Sequence, residues 1–569
     1  MGKYTFLEQK IPVPAWFGRF HVFAAGVAFM FTQGSMSALA LYSSTLKQEL
    51  GYSQDDVDWL AVAKSASPIL SCVLGGMQDK LGSFYCLTIS SMIGVVGFSL
   101  IYAALEGDID VSYETMWWLH FFAYGGVTAL QAPPLLTAMA NFPKHRAYTT
   151  SILFAAQSIG GSLVSEYDDY AEDNSVVLMC GLNSGVTAFL VWPFMRILSI
   201  SKLSAEEIQA TGPTLVCFAS FMAIIILYML VIEVWEIEVD FTKYAQEWVL
   251  FGYLIFMTLC VILGLCFWHW ALEREKIKAS QFRVVVDERE DAGLLTSQVE
   301  ESDKRYDTFN LRRAMKMRRK TAAWQDSEVP YSVMIYNVAI DPKYYLLVVV
   351  GYGVLGNMPT VSDNIEQIVL AIVGLDDADH ISRYISTSVT SLAAGRLSSG
   401  IISDALLKRY QIPRYYLATA GGISTCLGLY FYAESSAEKL YSACAFNNFG
   451  FGWTSIIMTT MILEQWGEEV YGFTNFFLLF VCNLCGSLIG SIALFSNEYD
   501  DEAQFDYNGS KYCFGNDCFD MTFYVLLGIA LVGTNLCILY GYVTRDKHEE
   551  LLLTCTTQEQ PSNQQELKG

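Results

Sequence analysis

The chain has 569 residues, 53% of them hydrophobic, with a mean hydropathy of +0.33. Only 16% are charged, against about 25% in a soluble domain, so a chain of soluble domains is excluded. The net charge of −23 sits mainly in short acidic segments between apolar runs, and no nucleic-acid partner, metal or cofactor is expected.

The N-terminal stretch "MGKYTFLEQKIPVPAWFGRF" is polar and basic and has no apolar core or small-residue cleavage site of a signal peptide. Phe6 replaces the Ser or Thr that a myristoylation signal requires, so a cytosolic N-terminus is expected. Apolar runs then follow, long enough for the roughly 20 residues that a membrane-crossing helix needs. Six lie near 20–42, 57–77, 84–105, 115–140, 147–166 and 174–198 and define a first unit, 1–200. Two more, 213–234 and 247–271, occupy 201–272. A polar stretch, 273–343, reads as a cytosolic central loop. Six further runs, 344–370, 384–404, 415–434, 438–463, 471–496 and 520–544, make a second unit, 344–545, before a cytosolic tail, 546–569. Lipid cannot satisfy backbone polar groups and the alternating segments of a barrel are absent, so the runs are read as about 14 helical spans of an all-α polytopic membrane protein.

Orientation follows from the basic residues. With the N-terminus inside, most of the 35 Lys and Arg are cytosolic, and Lys47, Lys243, Arg383, Lys439 and Lys511 are external. The sequon at Asn508 falls in the loop before the last span, on the external side, as glycosylation requires. Cys513 and Cys518 in the same loop are candidates for a disulfide in an oxidising compartment. Acidic segments such as "EYDDYAED" (166–173) and "EYDDEAQFD" (498–506) are external too. A one-signed face of this kind concentrates cations and protons, which fits an acidic lumen or a proton-coupled solute; simple exclusion of basic residues is the plainer account.

"GGMQDKLG" (75–82) ends the second span of the first unit, and "GRLSSGIISDALLKR" (395–409) ends the second span of the second. Both place Gly four residues before Asp, Gly75 to Asp79 and Gly400 to Asp404, followed by basic residues. Glycine admits a close helix approach, and the Asp can accept hydrogen bonds from the N-terminus of a neighbouring helix. Gly75, Asp79, Lys80, Gly82, Gly400 and Asp404 are therefore predicted to form paired latches at the cytosolic end.

The first stretch resembles motif A of the major facilitator superfamily. "LYSSTLKQELGYSQDDVDWLAVAKS" (41–65), "GVLGNMPTVSDNIEQI" (353–368) and "GRLSSGIISDALLKRYQIPR" (395–414) resemble its nodulin-like branch. The basic pair that usually ends motif A is replaced by Ser83–Phe84. The resemblance implies an alternating-access transporter with two six-helix bundles, a midplane site between them, and two additional peripheral helices.

Ionisable residues within spans are costly and mark pathways or partners. Asp363, Asn364 and Gln367, read as neighbours on one helix surface, follow a Gly- and Pro-rich stretch that favours a broken span, and are the candidate substrate-binding group. Lys64 and Arg396 are candidates to pair with acids or with an anionic solute; solvent-directed Lys64 and a latch role for Arg396 are the alternatives. His120 is a candidate proton carrier or a structural residue. In the central loop, Glu290, Leu294 and Leu295 resemble an acidic dileucine signal read by sorting adaptors, which favours a vacuolar, lysosomal or other endomembrane location over the plasma membrane.

The expected function is secondary-active or facilitative transport of a small solute, with proton coupling open. A non-transporting solute receptor or scaffold on the same fold is the alternative. Six scattered His, and no nucleotide-binding loop, argue against an enzyme.

Overall fold

Helices carry nearly all of the structure, a computed structural model that describes residues 17–34, 39–171, 175–198, 204–238, 243–290, 330–374, 381–507 and 510–544. Eight described helices are long and apolar enough to cross a membrane, Ser83–Leu105 and Asp520–Val543 among them. The other predicted spans are helical over their described residues but are interrupted or less apolar. Large apolar side chains such as Val73, Leu190, Leu227 and Val532 face outward, whereas Gln33, Gln157, Asn447 and Asn448 are buried. That is the distribution expected when lipid is the solvent and polar groups gather inside.

The first unit comprises α1 (Arg19–Phe31), α2 (Leu39–Leu50), α3 (Gln54–Ala66), α4 (Pro68–Leu81), α5 (Ser83–Leu105), α6 (Tyr113–Ala129), α7 (Ala132–Asn141), α8 (Arg146–Ala171) and α9 (Ser175–Val191). Some breaks have local causes. Ser53 caps α3 by accepting from the Asp56 amide. Pro68 opens α4 at a bend, and α7 likewise begins with Pro at its first turn, a position where the missing N–H costs nothing. The predicted first span, 20–42, is not one helix: α1 stops at Phe31 and α2 resumes at Leu39.

The additional pair, α10 (Ala205–Glu238) and α11 (Lys243–Glu290), packs together and against α1, α8 and α16 (Ile381–Tyr410). It lies along the seam where the two units meet. Tyr253 and Ser162 share a hydrogen bond of 3.0 Å, and Thr390 donates to the buried Glu233. Helix α11 runs 18 residues past the predicted boundary at 272, to Glu290. The extension "EREKIKASQFRVVVDERE" contains no Gly or Pro, and Lys278 pairs with Glu275 at 2.5 Å one turn away, so a polar helix continues where a loop was expected. A further helix, α12 (Tyr331–Ala339), also falls within the predicted loop.

The second unit opens with a span in three pieces, α13 (Pro342–Leu355), α14 (Met358–Asp363) and α15 (Ile365–Val373). It continues through α16, α17 (Arg414–Ala433), α18 (Ala437–Trp466) and α19 (Tyr471–Cys485). A π-helical segment, Gly486–Ser496, and the short α20 (Asn497–Asp501) follow. A two-stranded antiparallel ribbon pairs β1 (Phe505–Tyr507) with β2 (Ser510–Tyr512), Phe505 opposite Tyr512. Cys513 and Cys518 are joined in a disulfide just before α21 (Asp520–Val543).

Candidate transport cavity and its latches

At the C-terminal end of α4, the Asp79 carboxylate accepts from the amides of Gly472 at 2.9 Å and Phe473 at 3.1 Å, in the first turn of α19. A carboxylate on a helix N-terminus satisfies donors that have no partner within the helix and meets the positive end of its dipole. The approach needs glycine: a Cβ on Gly75 would come within 2.7 Å of the Gly472 carbonyl oxygen. Gly82 ends α4 with φ +94°, a conformation that other residues rarely adopt. Lys80 is exposed.

The second unit repeats the arrangement in reverse. Asp404, on α16, accepts from the Tyr148 amide at 3.0 Å in the first turn of α8. Gly400 packs directly on the Ala147 carbonyl and Ser151, leaving no room for a side chain. Each unit thus presses an acid from its second span onto the N-terminus of the fifth span of the other. Three residues that sequence reasoning passed over complete the latches. Arg414 donates to Asp404 at 2.8 Å and to Glu464 at 3.0 Å, and all three are largely buried. The Tyr331 hydroxyl, at the start of α12, donates to Asp79 at 3.3 Å.

Between the units lies a cavity of about 240 Å³. Lys64, Gln131 and Gln157 line it from the first unit, and Arg396, Asn448 and Asn483 from the second. Arg396 is a cavity residue and not a latch residue. Its guanidinium crosses to α8, donating to the Phe154 carbonyl at 3.1 Å, Gln157 at 3.4 Å and Ser158 at 2.8 Å, and lies 5.1 Å from the Phe154 ring centre. Lys64 also points inward, forming a 2.6 Å ion pair with Asp363.

Asp363, Asn364 and Gln367 do not line the cavity. The expected common surface fails because the helix stops at Asp363: Asn364 has φ −109° and ψ 13°, and its side-chain amide donates back to the Thr360 carbonyl at 2.8 Å. Asn364 and Gln367 are buried within the second unit. Glu366, set beyond the break, reaches the first unit through Ser43 at 2.8 Å and Lys47 at 3.7 Å. Asp58 accepts from Ser496 at 2.6 Å nearby in the same cross-unit seam. Contacts between units therefore flank the cavity on the side away from the latches as well. His120 is buried outside the cavity, its Nδ1 2.9 Å from the Met116 carbonyl oxygen. Glu290 is the last residue of α11, whereas Leu294, Leu295 and Asn508 lie outside the described residues.

Among solved structures, the proton:xylose symporter XylE bound to 6-bromo-6-deoxy-D-glucose is 10% identical, with a TM-score of 0.50 over 92% of this chain and 95% of that one. A bacterial homologue of the human lysosomal transporter Spinster, inward-facing and unoccupied, is 11% identical, with a TM-score of 0.50 over 94% and 99%. At such identities the likeness is one of fold, that of the major facilitator superfamily. Residues 19–266, a little under half of the chain, match the Nodulin-like family. No match was found among curated protein sequences.

Proposed function

We propose that the chain is a carrier that moves a small solute across its membrane by alternating access, in a state closed at the latch end. The observation that carries this reading is the reciprocal latch: Asp79 on the N-terminus of α19 and Asp404 on that of α8. Each is a contact between units made of a few polar bonds, so rocking one bundle against the other would release it without unfolding either. The basic residues gathered near that end, Lys80, Lys144, Lys408 and Arg409, favour the cytosol as the side it faces. No catalytic role is proposed.

A substrate-independent test uses a cysteine in the cavity. Ser455 lines it, and Ser455→Cys is expected to react slowly with a membrane-impermeant maleimide applied from the latch side. Adding Asp79→Asn should speed labelling several-fold at similar protein levels, with the parent that retains Ser455 as baseline. Equal labelling rates with and without Asp79→Asn would refute the latch. A receptor built on this fold would bind its solute yet show no flux in liposomes.

A further inference from the structure

We propose, on the basis of the carrier reading above, that the cavity takes a small organic monoanion, its carboxylate held by Arg396 and its body by the apolar walls. The charges lining the cavity support this assignment. Among the described residues, two cationic side chains, Lys64 and Arg396, line it, and no Asp or Glu does. Lys64 is already neutralised by Asp363 at 2.6 Å. Arg396 has no carboxylate within ion-pair distance among the described residues: its acceptors are a carbonyl, a side-chain amide oxygen and a hydroxyl, all gathered on Nη1. Its Nε is buried without a hydrogen-bond partner. An uncompensated guanidinium between two bundles is costly, and such groups persist in membrane proteins where they meet a partner or a substrate. The missing counter-charge is one negative unit, and the planar fork of arginine matches a carboxylate.

The rest of the cavity defines the body of the solute. Phe154, Leu392, Phe451, Met458 and Leu478 supply apolar surface. The side-chain oxygen of Asn448 is buried without a partner, offering one acceptor for a hydroxyl or amine. A volume of about 240 Å³ is below the roughly 300–1,000 Å³ of drug-sized sites. These features fit a compact acid better than a cation, which Arg396 would repel.

The test is thermal unfolding of the purified full chain with straight and branched monocarboxylates of three to eight carbons, each beside its primary amide. At least one acid should raise Tm where its amide does not. Arg396→Gln should weaken that acid by about ten- to hundred-fold, the range for a lost charged hydrogen bond, and Arg396→Lys should bind it with intermediate affinity. If Arg396→Gln does not fold, protection of wild-type Arg396 from phenylglyoxal by the same acid replaces it. No acid exceeding its amide, a shift unchanged in Arg396→Gln, or no protection would overturn the assignment. In liposomes, an acid that binds and enters supports both readings. An acid that binds without entering refutes the carrier and leaves the anion site standing. Uptake of a neutral solute that Arg396→Gln leaves unchanged refutes the anion site and leaves the carrier.

Discussion

Arg414 concentrates buried charge: it holds Asp404 and Glu464 together, and each of the three is at most 12% exposed. Removing the cation would leave two carboxylates buried side by side. Arg414→Met is therefore expected to destabilise the protein by about 3–5 kcal/mol, read as a lower Tm or loss of the monodisperse species; a Tm within a degree of wild type would show that water replaces the cation at no cost. A neighbouring residue bears on pH. His145, in the turn between α7 and α8, has its pKa lowered from 6.5 to about 4 by burial first and by Lys408 second, Lys408 Nζ lying 2.9 Å from its Nδ1. The unfolded chain then binds a proton that the folded one rejects, so stability from this group is present above pH 6.5 and is lost as pH falls towards about 4. His145→Gln should flatten that part of the Tm profile relative to wild type. Parallel profiles between pH 4 and 6.5 would mean that the ring is solvated in solution.

Among the elements, the second span of each unit is set by where its glycine meets a neighbouring backbone. Gly400 has no space above it, since Ala147 and Ser151 occupy the site, whereas a Cβ on Gly528 in α21 would meet nothing within 4 Å. Gly400→Leu should force α16 away from α8, lowering Tm and opening the cavity to label from the latch side. Gly528→Ala should leave labelling unchanged and hold or raise Tm, since Ala is favoured over Gly in a helix by up to about 1 kcal/mol. Similar effects of the two substitutions would place the cause in helix propensity and not in the contact. The broken span α13–α14–α15 works differently. Its breaks at Gly356–Asn357 and Asn364 turn Glu366 towards Ser43 and Lys47 of the other unit, and leave Asn364 inside its own bundle.

In the whole molecule, the two units meet through polar contacts on both sides of a shared cavity. Asp79 and Asp404 act at one end, while Glu366 and Asp58 bridge the units away from it. If one motion releases both latches, as proposed, combining Asp79→Asn with Asp404→Asn should speed labelling of the Ser455→Cys protein beyond either change alone. A double variant no faster than the faster single one would place the whole barrier at one latch. The added pair α10–α11 packs against α8 and α16, and none of its described residues lines the cavity.

The membrane-spanning class, the near positions of the helices and the paired Gly–Asp signatures were legible in the sequence because hydropathy and spacing are local: the solvent selects helices, and a motif is read from a few adjacent residues. Arg396 and Lys64 stood out for the same reason, as ions in apolar runs. Their roles did not. Whether Arg396 serves a latch or a cavity depends on α8, more than 200 residues away, and Arg414 and Tyr331 look like ordinary interfacial residues until the chain closes around Asp404 and Asp79. The group at Asp363, Asn364 and Gln367 departs from its expected common surface because regular helix spacing does not extend across a break that tertiary contacts help to hold. Periodicity records which residues leave the lipid. Which of them then share a cavity is decided only by the packing of one bundle against the other.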